Sequence, residues 1–322
     1  ITNKILNWYD INKRSLPWRK KTSLKKKQYY TLVSEFMLQQ TQVITVIPYF
    51  NRFIKNIPDI ETLANFDNLK LIKFWEGLGY YSRVRNLKKA AQVIVKDFNK
   101  KLPSNFLKLK SLPGIGDYTA SAISAIAFNK PLIPLDGNIE RVLKRYLYLK
   151  KENQIQKENL IKQKKIFGTS RRSSDYAQAL MELGALICKP KNPLCDQCPI
   201  SKKCTSFIKK DFTLTKVIKK NRDKYFLLKV YKRNNKYLLI KNNKFNFLKN
   251  LNIFPMNELI KPKNFKQNMS FKMSNMNMSV KIEYNKMIKA IPYSYWIDPK
   301  NLKNYTLPTF TKKIVKYLEN HK

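Results

Sequence analysis

Four cysteines close together in the chain constrain its fold more than any other feature. Cys188, Cys195, Cys198 and Cys204 have the spacing C-x6-C-x2-C-x5-C. Four such thiolates can hold tetrahedral zinc or a [4Fe–4S] cluster. Zinc ribbons usually carry two separated C-x2-C pairs and this segment has one, so the spacing favours the iron–sulfur cluster. Its expected role is structural, because it would pin a lysine-rich loop suited to phosphate contacts.

The histidine content restricts the chemistry that the chain can perform. Its single histidine, His321, is the next-to-last residue. Ser-His-Asp and Cys-His catalysis and histidine-ligated metal centres are therefore excluded. Any acid or base must be a carboxylate, a lysine, a tyrosine or a cysteine.

The charge balance makes nucleic acid the first partner to consider. Lysine and arginine number 65 against 21 acidic residues, which gives a formal net charge of +44. So positive a surface suits a polyanion. The abundance of Lys, Asn, Ile and Tyr is also typical of AT-rich coding, so charge alone does not establish DNA binding. The chain shows no signal-peptide core and no apolar run of membrane-spanning length, which predicts a cytoplasmic, bacterial-type, nucleoid-associated protein.

Hydrophobic patterning divides the chain into a helical part, a linker and a smaller mixed part. Residues 1–204 are predicted to be mainly helical, 205–222 to form a polar linker, and 223–322 to form a small α+β domain. In the amphipathic helix over 139–147, Glu140, Arg141, Lys144 and Arg145 are expected on the polar face. Further helical patterns run through 31–54, 61–75, 83–98, 176–187 (just before the cysteine loop) and 309–320 (with Thr309 as N-cap). Strands are predicted at 224–231, 237–240 and 279–284, and a hairpin-like turn at 232–236 joins the first two.

A glycine-containing turn separates two predicted helices, at 105–111 (with Ser104 as cap) and 118–128. It reads Leu-Pro-Gly-Ile-Gly, with glycines at Gly114 and Gly116. Glycine permits positive φ and close backbone approach, so the turn amides and the next helix N-terminus can point at a phosphate. An ordinary helix–helix turn is the alternative.

Several further motifs accompany the cysteine loop and this helix–turn–helix segment, which is called the hairpin below. They read RSLPWR at 14–19, SEFMLQQTQV at 34–43, GLGYYSR at 77–83 and LDGNI at 135–139. Together these segments resemble the iron–sulfur helix-hairpin-helix DNA glycosylases of the endonuclease III superfamily, and most closely the MutY family of adenine glycosylases. The likeness covers 1–204 almost continuously and extends more weakly to 322.

The resemblance implies a fold, a cofactor and a substrate. The fold would be a mainly α helix-hairpin-helix glycosylase domain with an iron–sulfur loop, plus a small α+β, Nudix-like C-terminal domain that reads 8-oxoguanine. The cofactor would be one [4Fe–4S] cluster. The substrate would be double-stranded DNA with adenine opposite 8-oxoguanine or guanine, bound by a monomer, without any membrane.

Catalytic roles follow from the same resemblance. Glu35 would protonate adenine at N7, and its apolar neighbours would raise its pKa by desolvation. Asp136 would stabilise the sugar cation while also capping a helix, and Asn138 would orient nearby groups. Tyr118 stands where bifunctional relatives carry a lysine. Tyrosine cannot form a Schiff base, which implies a monofunctional glycosylase.

Contacts to the DNA are also carried over from the family. The base pocket would be lined by Arg14, Leu16, Trp18 and Arg19. Gln40 and Tyr80 would wedge into the duplex, with Thr41 and Leu78 against the 8-oxoguanine. Ser274, within Met273-Ser274-Asn275, would bond to the lesion.

The chain departs from the family pattern at a few extra residues around 22–25 and at 248–255, where the usual glycines are missing. The lesion-reading segment also lacks the family's aromatic residue and histidine. Two alternatives therefore stay open: an endonuclease III-like glycosylase and lyase for oxidised pyrimidines, against which Tyr118 argues, and a catalytically decayed DNA-binding protein, against which Glu35 and Asp136 argue.

Overall fold

The structure is a computed structural model that describes residues 1–214, 221–273, 275–286 and 291–321. Its helices are α1 (Thr2–Asn12), α2 (Leu24–Leu38), α3 (Val43–Asn56), α4 (Ile60–Asn65), α5 (Asn68–Phe74), α6 (Ser82–Asp97), α7 (Phe106–Lys110), α8 (Asp117–Phe128), α9 (Gly137–Tyr146), α10 (Glu152–Ile155), α11 (Lys157–Gln163), α12 (Ser173–Glu182), α13 (Thr205–Ile208) and α14 (Thr309–Asn320). Its strands are β1 (Arg222–Val230), β2 (Lys232–Arg233), β3 (Lys236–Lys241), β4 (Asn252–Ile253), β5 (Met256–Leu259), β6 (Met269–Met273), β7 (Met276–Tyr284) and β8 (Ser294–Ile297).

The chain divides into two compact units. The first comprises Ile1–Phe66 and Ser82–Val217, and the second comprises Asp67–Tyr81 and Ile218–Lys322. The first is helical, while the second combines helices with every described strand. This confirms the predicted fold class of a mainly helical domain followed by a small α+β domain. Within the described residues, helices lack the combination of length and apolar character that crossing a bilayer requires.

Two helices, α2 and α8, form the centre of the first unit. α2 packs against α3, α6 and α8, and its residues from Thr31 to Met37 are all buried. The alanine-rich α8 is buried from Thr119 to Ala125. A helix that is buried on all sides carries no single apolar stripe. A carboxylate in the middle of α2, such as Glu35, is therefore forced into the interior.

Two of the predicted helical runs are broken in the structure. The run over 31–54 is split between α2 and α3, and Gln40 in the break has a φ of 57°. The run over 61–75 is split where Asp67 caps α5 by accepting a bond from the Lys70 amide. Hydrophobic periodicity continues across both breaks, so the pattern alone did not locate them. The prediction over 83–98 is confirmed by α6.

A second apolar cluster joins α1, α9 and α12 next to the cysteine loop. Ile5, Ile139, Leu143 and Leu180 are fully buried in it, and Cys188, Cys198 and Cys204 pack against its edge. The helix predicted before the cysteine loop is confirmed as α12, which continues as a π-helical turn over Leu183–Ile187. Through this cluster the cysteine loop packs against α9, the helix that begins directly after Asp136.

Among its described residues, the second unit contains two four-stranded sheets. In one, the order is β5-β1-β7-β6, with β1 parallel to β7. In the other, β3 lies between β2 and β4 and also pairs with β8. The predicted hairpin turn is confirmed, since β2 pairs with β3 and both Asn234 and Asn235 have positive φ. The N-cap of α14 is Pro308 rather than Thr309, which is the first residue of the helix.

Candidate active site

One cavity of about 530 Å³ in the first unit brings together residues that are far apart in sequence. It is enclosed by the segment before α2, by α2 itself, and by residues of α8, α9 and α12. The cavity is lined by every site residue predicted between positions 14 and 41. It is also lined by the three site residues predicted at the starts of α8 and α9. These residues are Arg14, Leu16, Trp18, Arg19, Glu35, Gln40, Thr41, Tyr118, Asp136 and Asn138.

Glu35 projects from the buried face of α2 into this cavity. Glu35 is only 5% exposed, and burial raises the pKa of its carboxyl to about 7. The hydrogen bond from Tyr118 and the positive charge of Arg19 oppose this shift, whereas the charge of Asp136 adds to it. A carboxyl with this pKa still carries its proton near neutral pH and can donate it.

Tyr118, in the first turn of α8, is the direct partner of that carboxyl. Its hydroxyl donates to Glu35 Oε2 at 3.2 Å. Burial, together with the charges of Glu35 and Asp136, raises the pKa of Tyr118 well above 10. The phenol therefore remains protonated and acts as a hydrogen-bond donor.

Asp136 is the N-cap of α9, as the sequence predicted. Its Oδ1 accepts a bond of 2.7 Å from the amide of Ile139, and its Oδ2 accepts one of 2.9 Å from Asn138 Nδ2. Burial raises the pKa of the Asp136 carboxyl above its ordinary value, and these bonds and the charge of Arg141 offset only part of that shift. Both oxygens are thus held in fixed directions next to the cavity.

Arg141, one turn further along α9, orients Asn138. Its Nη2 donates to Asn138 Oδ1 at 2.8 Å and to the carbonyl of Gly184 at 2.6 Å. The π-helical turn comes so close that a Cβ on Gly184 would lie 2.6 Å from Asn138 Cβ. Glycine at this position lets the two backbones approach, and π turns of this kind are frequent at functional sites. The sequence had placed Arg141 on a polar face without a role.

A third carboxylate in the cavity, Glu182, was not predicted from the sequence. It is fully buried and accepts two bonds of 2.8 Å from Arg14, while Arg19 Nη1 lies 3.0 Å from its Oε1. Burial alone would raise the pKa of Glu182, but the bond from Arg14 and the charges of Arg19 and Arg14 bring it below its ordinary range. A signal was present, because Glu182 is the one charged residue in the apolar run 176–187.

The pKa values of the two cavity glutamates are thus shifted in opposite directions. Burial favours the neutral form of Glu35, while two guanidinium groups favour the ionised form of Glu182. Separated pKa values of this kind assign the acid role in a site with several carboxylates. Gln178, on the same helix as Glu182, also lines the cavity.

The loop between α2 and α3, which carries Gln40 and Thr41, is fastened at its base. The buried guanidinium of Arg83 donates to the carbonyls of Phe36, Met37 and Gln39 at the end of α2. These are carbonyls that a helix C-terminus leaves without helical partners. The side chain of Gln40 is thereby left exposed at the cavity rim.

Three predicted contact residues lie elsewhere. Leu78 and Tyr80 belong to Asp67–Tyr81, which forms part of the second unit. Leu78 is buried, whereas Tyr80 is 45% exposed. Ser274 lies outside the described residues, so its predicted bond to the lesion has no structural counterpart here.

The predicted hairpin joins α7 to α8. Its first helix is capped by Asn105, whose side chain accepts bonds from two amides, and not by Ser104 as expected. Gly114 has a φ of 79°, and a Cβ there would lie 2.7 Å from Asn86 Cβ and 2.8 Å from Phe36 Cε1. Gly116, the N-cap of α8, has a φ of −94° and open space on its Cβ side. Only Gly114 therefore requires glycine on conformational grounds, while Gly116 leaves the α8 N-terminus open to approach.

The four cysteines line one small pocket whose other walls are mostly apolar. None of them is disulfide-bonded. In the part of the chain that the structure describes, no three Cys, His, Asp or Glu side chains form a group fit for a single metal ion.

Arg145 is the cation that faces these cysteines. It is 3% exposed, which corrects its predicted place on a polar helix face. Its guanidinium donates to Cys188 Sγ at 3.4 Å and to the carbonyls of Lys189, Pro190 and Phe212. Among the described residues, no ion pair joins it to a carboxylate. A buried cation requires a compensating negative charge, which four thiolates around an iron–sulfur cluster would supply.

Comparison with known protein families identifies part of the first unit. Residues 33–165 match the model of the HhH-GPD superfamily base excision DNA repair protein. Adenine DNA glycosylase of Buchnera aphidicola subsp. Schizaphis graminum (strain Sg) is 37% identical over 264 residues, which cover 78% of this chain and 73% of the relative. The enzyme of the same name from Buchnera aphidicola subsp. Baizongia pistaciae (strain Bp) is 42% identical over 63% of this chain and 57% of its own length.

Proteins from other organisms match a similar share of the chain. The human adenine DNA glycosylase is 39% identical over 62% of this chain, and the match spans 38% of the human protein. Among solved structures, a thermostable thymine-DNA glycosylase is 26% identical with a TM-score of 0.57, covering 65% of this chain and 95% of its own. A non-covalent endonuclease III–DNA complex is 19% identical with a TM-score of 0.54, covering 65% and 94%, which supports the fold alone.

Proposed function

Since this chain belongs to the adenine DNA glycosylase family, we propose that it is a base-excision-repair enzyme that removes adenine opposite 8-oxoguanine or guanine. The match spans 57% and 73% of the two Buchnera relatives, so the activity of the whole protein is part of the proposal. The observation that carries it is the buried Glu35, with a pKa of about 7, in one cavity with Asp136.

The proposed reaction is a hydrolysis of the N-glycosidic bond. Adenine is a poor leaving group as an anion, so the neutral Glu35 carboxyl donates its proton to N7 as the C–N bond breaks. The sugar then carries positive charge, which an ionised Asp136 stabilises. Water adds to the sugar carbon and loses a proton, which leaves an abasic site and free adenine.

The proposed enzyme is monofunctional. Cleavage of the DNA strand by a lyase requires an amine that forms a Schiff base with the sugar. Tyr118 supplies a phenol there and donates to Glu35. Its role is thus to hold the acid in place.

Recognition of the flipped base is assigned to the cavity walls. Leu16 and Trp18 provide apolar faces for stacking, and Trp18 is itself held edge-on by Phe50 at 5.3 Å. Arg14 and Arg19 are bound to Glu182. Polar groups fixed in this way can read the edge of a base without reorganising when it enters.

The domain assignment, the cofactor and the remaining contacts are proposed on the same basis. Residues 1–204 form the catalytic domain, 205–222 the linker, and 223–322 a Nudix-like domain that reads 8-oxoguanine through Ser274. The compact units differ from these bounds, because Asp67–Tyr81 groups with the second unit and α13 with the first. The four cysteines hold one [4Fe–4S] cluster, which anchors the lysine-rich loop. The hairpin around Gly114 and Gly116 binds a phosphate of double-stranded DNA, and Gln40 and Tyr80 enter the duplex. One lesion needs one site, so the enzyme acts as a monomer.

The test is a single-turnover excision assay with the full chain in excess over a duplex that has one adenine opposite 8-oxoguanine. Strand breaks at the adenine that form only after alkali treatment, and are lost in Glu35→Gln, are the expected result. Breaks without alkali would instead support a lyase of the endonuclease III type. Binding without any breaks would support a decayed DNA-binding protein. A duplex with thymine opposite guanine is the control for base identity.

A further inference from the structure

The loop that carries Leu78 and Tyr80 is held in a costly backbone conformation. Gly77, Gly79 and Tyr80 have φ values of 106°, 70° and 47°. A bulky residue with positive φ persists only where its surroundings impose it, and such residues cluster at functional sites. Tyr80 remains 45% exposed, so burial of its ring does not account for the conformation. Contacts at the base of the loop help to hold it.

Those contacts are made by the two residues before the loop. Trp75 is fully buried, and its indole nitrogen donates to the carbonyl of Gly79 at 3.1 Å. Glu76 Oε1 lies 2.6 Å from Lys312 Nζ on α14 and accepts a bond of 3.4 Å from the amide of Leu307. The Glu76 side chain is 17% exposed, so this ion pair is partly shielded from solvent.

These two partners of Glu76, Lys312 and Leu307, come from the far end of the chain. Leu307 is 1% exposed and belongs to the apolar core of the second unit, beneath α14. The segment Asp67–Tyr81 is accordingly part of that unit, although it stands between α4 and α6 in the sequence. An anchor in the core transmits position better than one on a mobile surface loop.

Resting on the proposed function, we propose that Glu76 is a positioning residue that ties the DNA-inserting loop to the lesion-reading unit. Its bonds to Lys312 and Leu307 fix Tyr80 relative to α14. The wedge would then be correctly placed only when the C-terminal unit is seated on its lesion. Discrimination between 8-oxoguanine and guanine opposite adenine should therefore depend on the Glu76–Lys312 pair.

The kinetic test compares Glu76→Gln, Lys312→Met, the double variant and Lys312→Arg. Lys313→Met, the adjacent exposed lysine on α14, is the matched control. The ratio of single-turnover rates on adenine opposite 8-oxoguanine and opposite guanine should fall about fivefold in each single variant. In the double variant the ratio should fall no further than in the single variants. Lys312→Arg and the control should retain the wild-type ratio.

A second measurement follows hydrogen exchange at the amides of Leu78, Gly79 and Tyr80 in the full chain without DNA. Exchange should be faster in Glu76→Gln and Lys312→Met than in the wild type and the control. Unchanged exchange, or a preserved rate ratio in variants that melt like the wild type, would overturn the inference. If the wild type excised no adenine at all, the proposed function would fail, and the exchange data would still decide whether the anchor exists.

Discussion

Arg141 donates a hydrogen bond of 2.6 Å from Nε to the backbone carbonyl of Cys188. A different nitrogen of the same guanidinium holds Asn138, which in turn bonds to Asp136 Oδ2. One side chain therefore links the first cysteine of the loop to the carboxylate that we assign to the sugar cation. The planar guanidinium group has several donors in fixed directions and can therefore bind both segments at once. The single ammonium group of a lysine lacks this geometry.

The first prediction concerns this junction. Arg141→Lys should lower the single-turnover excision rate by about 10- to 100-fold, because a small displacement of an oriented carboxylate is costly. Substrate binding should change much less. Lys144→Met, on the same helix, is the control, since Lys144 pairs with Glu140. Equal rates for Arg141→Lys and the wild type would contradict a role in orienting Asp136.

The second prediction concerns pH. The pKa of Glu35 is raised to about 7 by burial, and its protonated form is the proposed acid. The excision rate should therefore fall about tenfold per pH unit above pH 7, level off just below it, and fall again at lower pH where Asp136 becomes protonated. Single-turnover rates from pH 5 to 9 measure this. A rate that rises with pH through 7 would contradict the acid role.

The same shift couples Glu35 to stability. Between the ordinary pKa of 4.5 and the folded value of about 7, the folded protein holds a proton that the unfolded chain has released. The contribution of this residue to the free energy of unfolding is therefore greatest below pH 4.5. It decreases by roughly 3 kcal/mol as the pH rises from 4.5 to 7. In urea unfolding, Glu35→Gln should lack this part of the pH dependence.

The third prediction concerns the effect of the Tyr118 hydroxyl on the pKa of Glu35. The phenol bond to Glu35 lowers the pKa of that carboxyl, so Tyr118→Phe should move the midpoint of the pH–rate profile to higher pH. The plateau rate should fall only modestly if the phenol acts by holding the acid. A midpoint that stays in place would show that this bond does not tune Glu35.

The fourth prediction uses the two hairpin glycines as a matched pair. Gly114→Ala introduces a Cβ at 2.7 Å from Asn86 Cβ in a left-handed conformation, and should cost about 2–4 kcal/mol in the free energy of unfolding. Gly116→Ala meets open space at a φ of −94° and should cost below ~1 kcal/mol. Urea denaturation compares them. Equal losses would contradict the geometry of the turn.

The fifth prediction concerns the buried cation beside the cysteines. Arg145→Met removes the guanidinium that contacts Cys188 Sγ and three loop carbonyls. The purified variant should contain less iron per chain and should lose its brown colour faster with a chelator than the wild type. Arg145→Lys should be intermediate, since it keeps the charge without the fork. A wild-type protein that contains zinc and no iron would contradict the cluster assignment.

Much of the local structure could be predicted from the sequence. The capping role of Asp136, the hairpin turn at Asn234 and Asn235, and the helix before the cysteines depend on interactions between residues a few positions apart. Patterning also located α6 and the change from helices to strands. Such features are determined by residue type and spacing, because the atoms that stabilise them are neighbours in the chain.

Only the tertiary structure decided how those pieces meet. Arg145 and Lys144 are adjacent in the sequence and were expected on the same polar face, yet Arg145 is buried because the cysteine loop folds over it. Glu182 is paired by Arg14, which is 168 positions away. The break at Gln40 is stabilised by Arg83, and Glu76 is held by Lys312. The protonation of Glu35 and the placement of Tyr80 depend on such long-range contacts, which no local pattern in the sequence specifies.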